Sequence, residues 1–411
     1  MSGPFAVLLL ALAVLGLLIP QLRSWNWCPA VACAIVAVAS GTSSLHTSYE
    51  AIRPLFGPVA FVALAVPMAV MLDRYGVFIE LARMISTGRG YRGVLWILAA
   101  VVTAVLNLDA AVVMLTPLYI RIAEERRESP LALALQAALL SALASSALPV
   151  SNLTNLIAAA RDGASVTAFL IHLGPPTVVA TTVGWLAYRW GYARITRLDR
   201  STPRLEGEPH SRGPDRPASV TLVVGGLLVL AVVAGFVLLP AVGGAPYEVA
   251  AAADVVLVLL TRSFPWRDVP VSSVAMVLAL GVLAGVAAGV LGVDRLIGGS
   301  SPLDLVRTTA ATAAGSNVVN NLPALLVALP ATGRTPSWSL WAVLLGTNVG
   351  ALILPSASLA LLLWSSTARR LGLPVRDGDL VRIGWWICLP ALVGATGMLV
   401  LMRIVLGASG Y

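Results

Sequence analysis

The chain has 411 residues, of which 58% are apolar and 11% charged, where ordinary soluble domains carry roughly 45–50% and 25%. That balance excludes a disordered chain, a coiled coil and a conventional soluble enzyme, and points to a polytopic helical membrane protein. The formal charge is +8 and all 27 basic residues are arginine, yet no basic stripe interleaved with aromatics marks a nucleic-acid surface.

A membrane span needs about 20 apolar residues. In chain order, long apolar stretches predict spans over 4–22, 55–72, 130–160, 164–190, 220–240, 270–291, 337–366 and 383–407, with shorter ones over 27–40 and 246–261. The first has no basic residue before it and no small-residue cleavage site after it, so it reads as a retained helix and not a signal peptide. Two further stretches, 93–121 and 303–333, are each interrupted by a polar knot. In the first the knot is Asn107-Leu108-Asp109. In the second it runs from Ser316-Asn317 to Asn320-Asn321-Leu322-Pro323. Each half is then too short to span.

Arginines set the topology. Arg83, Arg89 and Arg92 precede 93–121, and Arg121, Arg126 and Arg127 follow it. Cytoplasmic flanks collect positive charge, so both ends read as cytoplasmic and the stretch becomes a re-entrant hairpin with its tip near Asn107. Ten spans and two hairpins, starting outside, place 21 arginines inside, Arg23 among them. Only Arg53, Arg161, Arg295, Arg307, Arg334 and Arg403 then fall outside. The second hairpin, 303–333, lies on the external side in this layout.

The hydrophilic segment 191–219 divides the chain into 1–190 and 220–411, each with five spans and one hairpin. An odd number of spans inverts the second half, so the fold class expected is an all-α inverted-repeat transporter. Asp73-Arg74 precedes one hairpin and Asp294-Arg295 the other. NLDAAVVMLTP from Asn107 to Pro117 aligns with NNLPALLVALP from Asn320 to Pro330. Each hairpin is followed by a proline-interrupted span. Pro149 stands next to Ser151, Asn152, Thr154 and Asn155 in 130–160, and Pro355 next to Ser356 and Ser358 in 337–366. Proline removes a helix hydrogen bond and neighbouring Ser, Thr and Asn satisfy the freed groups, so both spans are expected to break mid-membrane. Four half-helix ends then converge near the midplane, where their partial charges and free backbone groups serve a ligand.

These residues resemble the bacterial arsenite/antimonite permease family of the ion-transporter superfamily. The resemblance rests on Asn107-Leu108-Asp109-Ala110-Ala111 with Leu115-Thr116-Pro117, on Ser151-Asn152-Leu153-Thr154-Asn155, and on Asn320-Asn321-Leu322-Pro323. It rests also on Asn348-Val349-Gly350 followed by Pro355, Ser358-Leu359-Ala360 and Trp364, and it covers about residues 55–407 in order. Leu108 departs from it, standing where the family usually has a second asparagine. The resemblance implies efflux of trivalent arsenite or antimonite, as the neutral hydroxide, in exchange for protons across a bacterial inner membrane. It implies elevator-like motion of a hairpin-bearing core, no cofactor beyond the proton gradient, and work alone or with a cytosolic arsenite-stimulated ATPase.

Among single residues, Asp109 is the sharpest candidate. An intramembrane carboxylate is costly and marks function by default; here it would carry the proton or bind substrate, with helix N-capping as the structural alternative. It also disfavours an anionic substrate, and neither tip nor break carries an arginine. Asn107, Asn320 and Asn321 are candidate ligands for a neutral hydroxylated solute, because amides both donate and accept. Asn317, Ser151, Asn152, Thr154, Asn155, Thr347, Asn348 and Ser358 either line the site or satisfy broken backbone.

Asp254, in 246–261, reads as pairing with an arginine or sitting at a subunit interface in a homodimer, with a part in transport as the lesser alternative. Glu248 reads as solvated near a membrane end. His46 and His210 read as loop residues and His172 as a packed one. Cys28, Cys33 and Cys388 lie in apolar stretches and form no disulfide framework. Gly281, Gly285 and Gly289 have the spacing of close helix packing. No Walker motif, metal-ligand cluster or nucleophile elbow occurs, so the chain is not read as an enzyme. Two other transport readings stay open at this point, a sodium/proton antiporter and a sodium-coupled anion carrier of the dicarboxylate type.

Overall fold

In hydrocarbon every backbone N–H and C=O must be paired within the protein, and segments this apolar achieve that as helices. The computed structural model describes residues 2–18, 25, 27–77, 80, 88, 90–199, 218–351, 354, 357–373 and 375–407. Among the described residues the chain is α-helical with short 3-10 turns and contains no strand. Arg23, Arg83, Arg89, Pro355, Ser356 and most of the linker, including His210, lie outside them.

The first half holds α1 (Ser2–Leu18), α2 (Trp27–Ala39), α3 (Leu45–Ile52), α4 (Phe56–Tyr75), α5 (Tyr91–Leu106) and α6 (Leu108–Arg126). It continues with α7 (Pro130–Leu143), α8 (Leu153–Asp162), α9 (Val166–His172) and α10 (Gly174–Leu198). The second half holds α11 (Ala218–Leu238), α12 (Pro246–Thr261), α13 (Val271–Leu291) and α14 (Pro302–Val319). After these come α15 (Asn321–Ala328), α16 (Trp338–Val349), α17 (Leu359–Arg370) and α18 (Asp377–Leu406).

Among the described residues, four helical stretches are long and apolar enough to cross a membrane: Leu45–Tyr75, Ser219–Leu238, Trp266–Ala288 and Asp377–Leu406. The span expected over 164–190 is instead two helices, α9 and α10, bent by 49° where they meet. The cause is local, because Pro175 and Pro176 supply no N–H to the carbonyls behind them. The stretch expected to end at Arg121 continues as helix to Arg126, where Arg127 closes it in the left-handed conformation.

Two helices form the centre. Every residue of α7 from Leu131 to Leu143 is buried, and so is every residue of α16. A helix that is apolar all round belongs in an interior. On the outer helices, Leu227, Leu230 and Val393 point away from the protein and are exposed, as lipid-facing side chains should be. The halves join through many helix pairs, among them α4 on α12, α1 and α2 on α13, α6 on α17 and α10 on α18. Small residues permit these approaches: a Cβ on Gly191 of α10 would lie 1.9 Å from the Trp386 ring of α18. Gly281 and Gly285 of α13 do the same against Leu55 and Ala51, which is the close packing their spacing predicts.

The cytoplasmic ends expected around the α5–α6 unit carry a charge cluster. Arg92 Nη2 meets Glu128 Oε2 at 2.9 Å and Tyr192 Oη donates to the same oxygen at 2.7 Å. Asp199 accepts from Ser129 Oγ and from Leu131 N, closing the start of α7. The three cysteines are free.

Candidate functional site

The site is built from two helix junctions and two helix breaks. At the first junction α5 ends and α6 begins around a single residue, Asn107, with φ 103° and ψ 149°. At the second, α14 gives way to α15 at Asn320, with φ 81° and ψ 152°. Side chains rarely adopt this region, which costs about 1–3 kcal/mol and collects at functional sites. Both asparagines offset the cost in the same way. Asn107 Oδ1 accepts from Asp109 N at 2.9 Å, and Asn320 Oδ1 accepts from Leu322 N at 3.2 Å. Each therefore caps the helix that follows it. The capping role considered for Asp109 belongs to Asn107. Asp109 sits in the first turn of α6, half-buried, and its Oδ1 is buried with no hydrogen-bond partner among the described residues.

The first break lies between α7 and α8. Helix stops at Leu143 and a 3-10 turn spans Pro149–Ser151. Asn152 then caps α8 through Oδ1 to Thr154 N at 3.2 Å. Ser151 and Asn155 pair the freed carbonyls: Ser151 Oγ donates to Ser145 O and Leu148 O, and Asn155 Nδ2 donates to the same two oxygens at 2.8 and 2.9 Å. The second break follows α16. Ser358 begins α17 with φ −142° and ψ 142°, close to the −149° and 142° of Asn152.

Hydrogen bonds tie these parts into one assembly. Asn107 Nδ2 makes a long 3.5 Å bond to Val150 O, linking the first junction to the first break. Asn321 N donates to Ala357 O at 2.8 Å, linking the second junction to the second break. Asn317 strengthens that link, its Nδ2 donating to Gly350 O at 2.7 Å and its Oδ1 accepting from Leu354 N at 2.9 Å. Asn348, in the last turn of α16, joins the halves. Its Oδ1 accepts from Asn152 Nδ2 at 2.9 Å and Thr154 Oγ1 at 2.7 Å, while its Nδ2 donates to Asn155 Oδ1 at 2.7 Å and Ser146 Oγ at 3.3 Å.

The expected residues therefore divide by what they have left to offer. Asn348 spends all of its side-chain hydrogen-bonding capacity on the first break. Thr347 bonds back to Val343 O and Leu344 O of its own helix and takes no part in the assembly. Asn321 and Ser358 are buried, and their side chains make no hydrogen bond among the described residues. With Asp109 they are the groups free to receive a ligand. Among the described residues Asp254 meets no arginine, and both its oxygens are buried without a hydrogen-bond partner. His172 is packed as expected, stacked on Trp341 at 4.9 Å.

Comparison with known proteins agrees with this architecture. A family model described as "Citrate transporter" matches residues 4–346. The chain belongs to the citrate transporter family. The chain is also similar to an arsenical pump membrane protein of Yersinia enterocolitica, at 28% identity over 95% of this chain and 96% of that protein. It is similar also to the arsenical pump membrane protein of Escherichia coli strain K12, at 28% identity over 81% and 83%. The resemblance carried by the asparagine motifs thus holds along most of the chain. The solved structure of the Alcanivorax borkumensis YdaH transporter, described as having an unusual topology, shares the fold. Its TM-score is 0.61 at 19% identity, over 98% of this chain and 97% of that one. The protein is a multi-pass membrane transporter and not an enzyme.

Four contributors escaped the sequence reading. Ser145 and Ser146 lie in an alanine-rich run and look like small helix-packing residues, yet both join the Asn348–Asn155 network. Trp364, noticed only as part of a motif, donates Nε1 to Ala134 O at 2.9 Å and fastens α17 to α7. Arg161 counts as one of the external arginines, but its Nη1 donates to Leu329 O at 2.6 Å and meets Asp162 at 3.3 Å. It pins the end of α8 to the end of the α14–α15 unit.

Proposed function

We propose that the protein exports trivalent arsenite or antimonite, as the neutral hydroxide, in exchange for protons across a bacterial inner membrane. The observation that carries this is the composition of the assembly. It offers amides, hydroxyls and one carboxyl, Asp109, and no arginine at either junction or break. A neutral trihydroxylated solute needs donors and acceptors together, and asparagine and serine supply both. The curated relatives are named arsenical pump membrane proteins, which supports an arsenical as the solute.

In this reading the two halves are inverted repeats and each junction is the tip of a re-entrant hairpin. The junction-and-break assembly is the moving core, which travels elevator-fashion against the outer helices. Asp109 holds the exchanged proton. Everted vesicles containing the protein are expected to accumulate trivalent arsenic when a pH gradient is imposed, and to lose most of that uptake when it is collapsed. Absence of arsenic movement in both conditions, with correctly folded protein, rejects the assignment.

The family description favours a second reading, an anion carrier of the citrate type. A polyanion placed beside Asp109 with no cation to meet it is electrostatically unfavourable. Sodium-dependent citrate uptake by the same vesicles would establish this reading in place of the first.

A further inference from the structure

We propose that Asp254 is a second proton-binding site, separate from the assembly that holds Asp109. It lies at the middle of α12, 5% exposed, with both carboxyl oxygens buried and unpartnered among the described residues. Among the described residues its surroundings supply no counter-charge. On α12 itself Tyr247 and Glu248 occupy the first turn, and Arg262 lies just past the last. On α4, packed against it, the titratable residues are Asp73, Arg74 and Tyr75 in the final turn, and Arg74 is engaged by Asp268 at 3.4 Å. Neither α11 nor the turn over 239–242 carries a titratable group.

Chemistry selects the ligand. An ionised carboxylate buried without a partner carries a penalty of several kcal/mol, and a bound cation removes it. Hard metal cations require several oxygen ligands; Asp254 brings one carboxyl group and no described neighbour adds a second. A proton needs a single lone pair. Asp109 differs in kind, because it stands in the first turn of α6 where the helix N-terminus favours negative charge. Asp254 stands mid-helix and has no such compensation. It is also close to lipid, since Val255 and Leu259 on the same helix are exposed at 62% and 72%. Proton binding here is independent of which solute is carried, so a failed arsenic assay leaves it unaffected.

Infrared spectra of the full-length protein in lipid vesicles, recorded between about pH 5 and pH 9, decide the matter. The wild type is expected to show a protonated-carboxyl C=O band that changes with pH, that Asp109→Asn retains and that Asp254→Asn lacks. A spectrum of Asp254→Asn identical to the wild type overturns the proposal. So does a band that disappears in the variant but is constant in pH in the wild type, which would make Asp254 a fixed structural acid. A hydrophobic carbodiimide gives a measurement that needs no variant. The carboxyl proton passes to one carbodiimide nitrogen as the carboxyl oxygen bonds the central carbon, and the acyl group then shifts from oxygen to nitrogen with nothing lost. An adduct on Asp254 whose yield falls as pH rises supports the site; no adduct, or a yield flat in pH, overturns it.

Discussion

Asn348 donates Nδ2 to Asn155 Oδ1 at 2.7 Å across 193 positions of sequence. The orientation of both amides is fixed from one end of the chain of bonds. Asn155 Nδ2 must face Ser145 O and Leu148 O, which are acceptors only, so its Oδ1 must face Asn348. Asn348 Nδ2 is therefore the donor, and its Oδ1 receives Asn152 and Thr154. Asn348→Ala orphans several buried groups at once, each worth about 1–3 kcal/mol. The expected outcome is a loss of at least about 3 kcal/mol together with loss of transport. Asn348→Asp, nearly isosteric, is expected to be no better, because it sets oxygen against Asn155 Oδ1. Thermal melts in detergent and vesicle uptake check both variants, and near-wild-type stability in Asn348→Asp would contradict the assigned orientation.

Asp109 supplies the second prediction. Its Oδ1 is buried and unpartnered, while its backbone N–H is held by Asn107, so the carboxyl is free to exchange a proton without disturbing the cap. Asp109→Asn keeps the shape and the cap. It is expected to fold normally, to retain solute binding and to lose the pH dependence of transport. Uptake measured across a pH series in wild type and variant tells the outcomes apart, and an unchanged profile removes Asp109 as proton carrier.

The parts of this site that sequence reveals are those with a local cause. Asn107 and Asn320 stand out because an amide amid apolar residues has few uses other than capping or binding. Pro149 announces the break after α7 because its ring removes a helix hydrogen bond. What escapes is the pairing between elements. Nothing near Asn348 specifies Asn155 as its partner, and Ser145 and Ser146 resemble their alanine neighbours until the fold brings an amide to them. Arg161 is one of the few arginines that the charge rule for membrane flanks leaves on the external side, and that rule is blind to its bond with Leu329 O. The division of the asparagines into locked Asn348 and free Asn321 is likewise a property of the tertiary contacts.

Packing beneath the second break makes a third prediction. A Cβ on Gly346 would lie 2.1 Å from Thr312 Oγ1 and 2.5 Å from Thr309 O. The second of these is backbone and cannot swing aside. α16 must therefore separate from α14, and the separation is felt at Asn348, half a turn further on. Gly346→Ala is expected to cost about 1–3 kcal/mol and to reduce transport by more than its stability loss explains. Stability and uptake measured on the same preparation check this; full uptake in a folded Gly346→Ala protein would show that the α14–α16 contact has slack.

The charge cluster around Glu128 gives a prediction in which pH acts on stability. Burial opposes the charge on Glu128, but hydrogen bonds from Arg92, Tyr91 and Tyr192 outweigh it and hold the carboxyl below the usual glutamate range. Arg92 lies 3.9 Å over the Tyr192 ring, so the same cluster binds the start of α5 to the end of α10. A carboxyl whose folded value is depressed stabilises the fold above its unfolded value, and that contribution is lost as pH falls through the folded one. Both groups are partly exposed, with side chains 40% and 19% accessible, so the contribution is about 1 kcal/mol. Glu128→Gln is therefore expected to melt a few degrees lower than wild type near neutral pH. The gap should narrow only as pH falls below the ordinary carboxylate range, where the wild-type Glu128 itself takes up a proton. Melting curves of the two proteins over that series are the check, and a gap that is the same at acid and neutral pH would mean that Glu128 holds α5 to α10 by packing and not by charge.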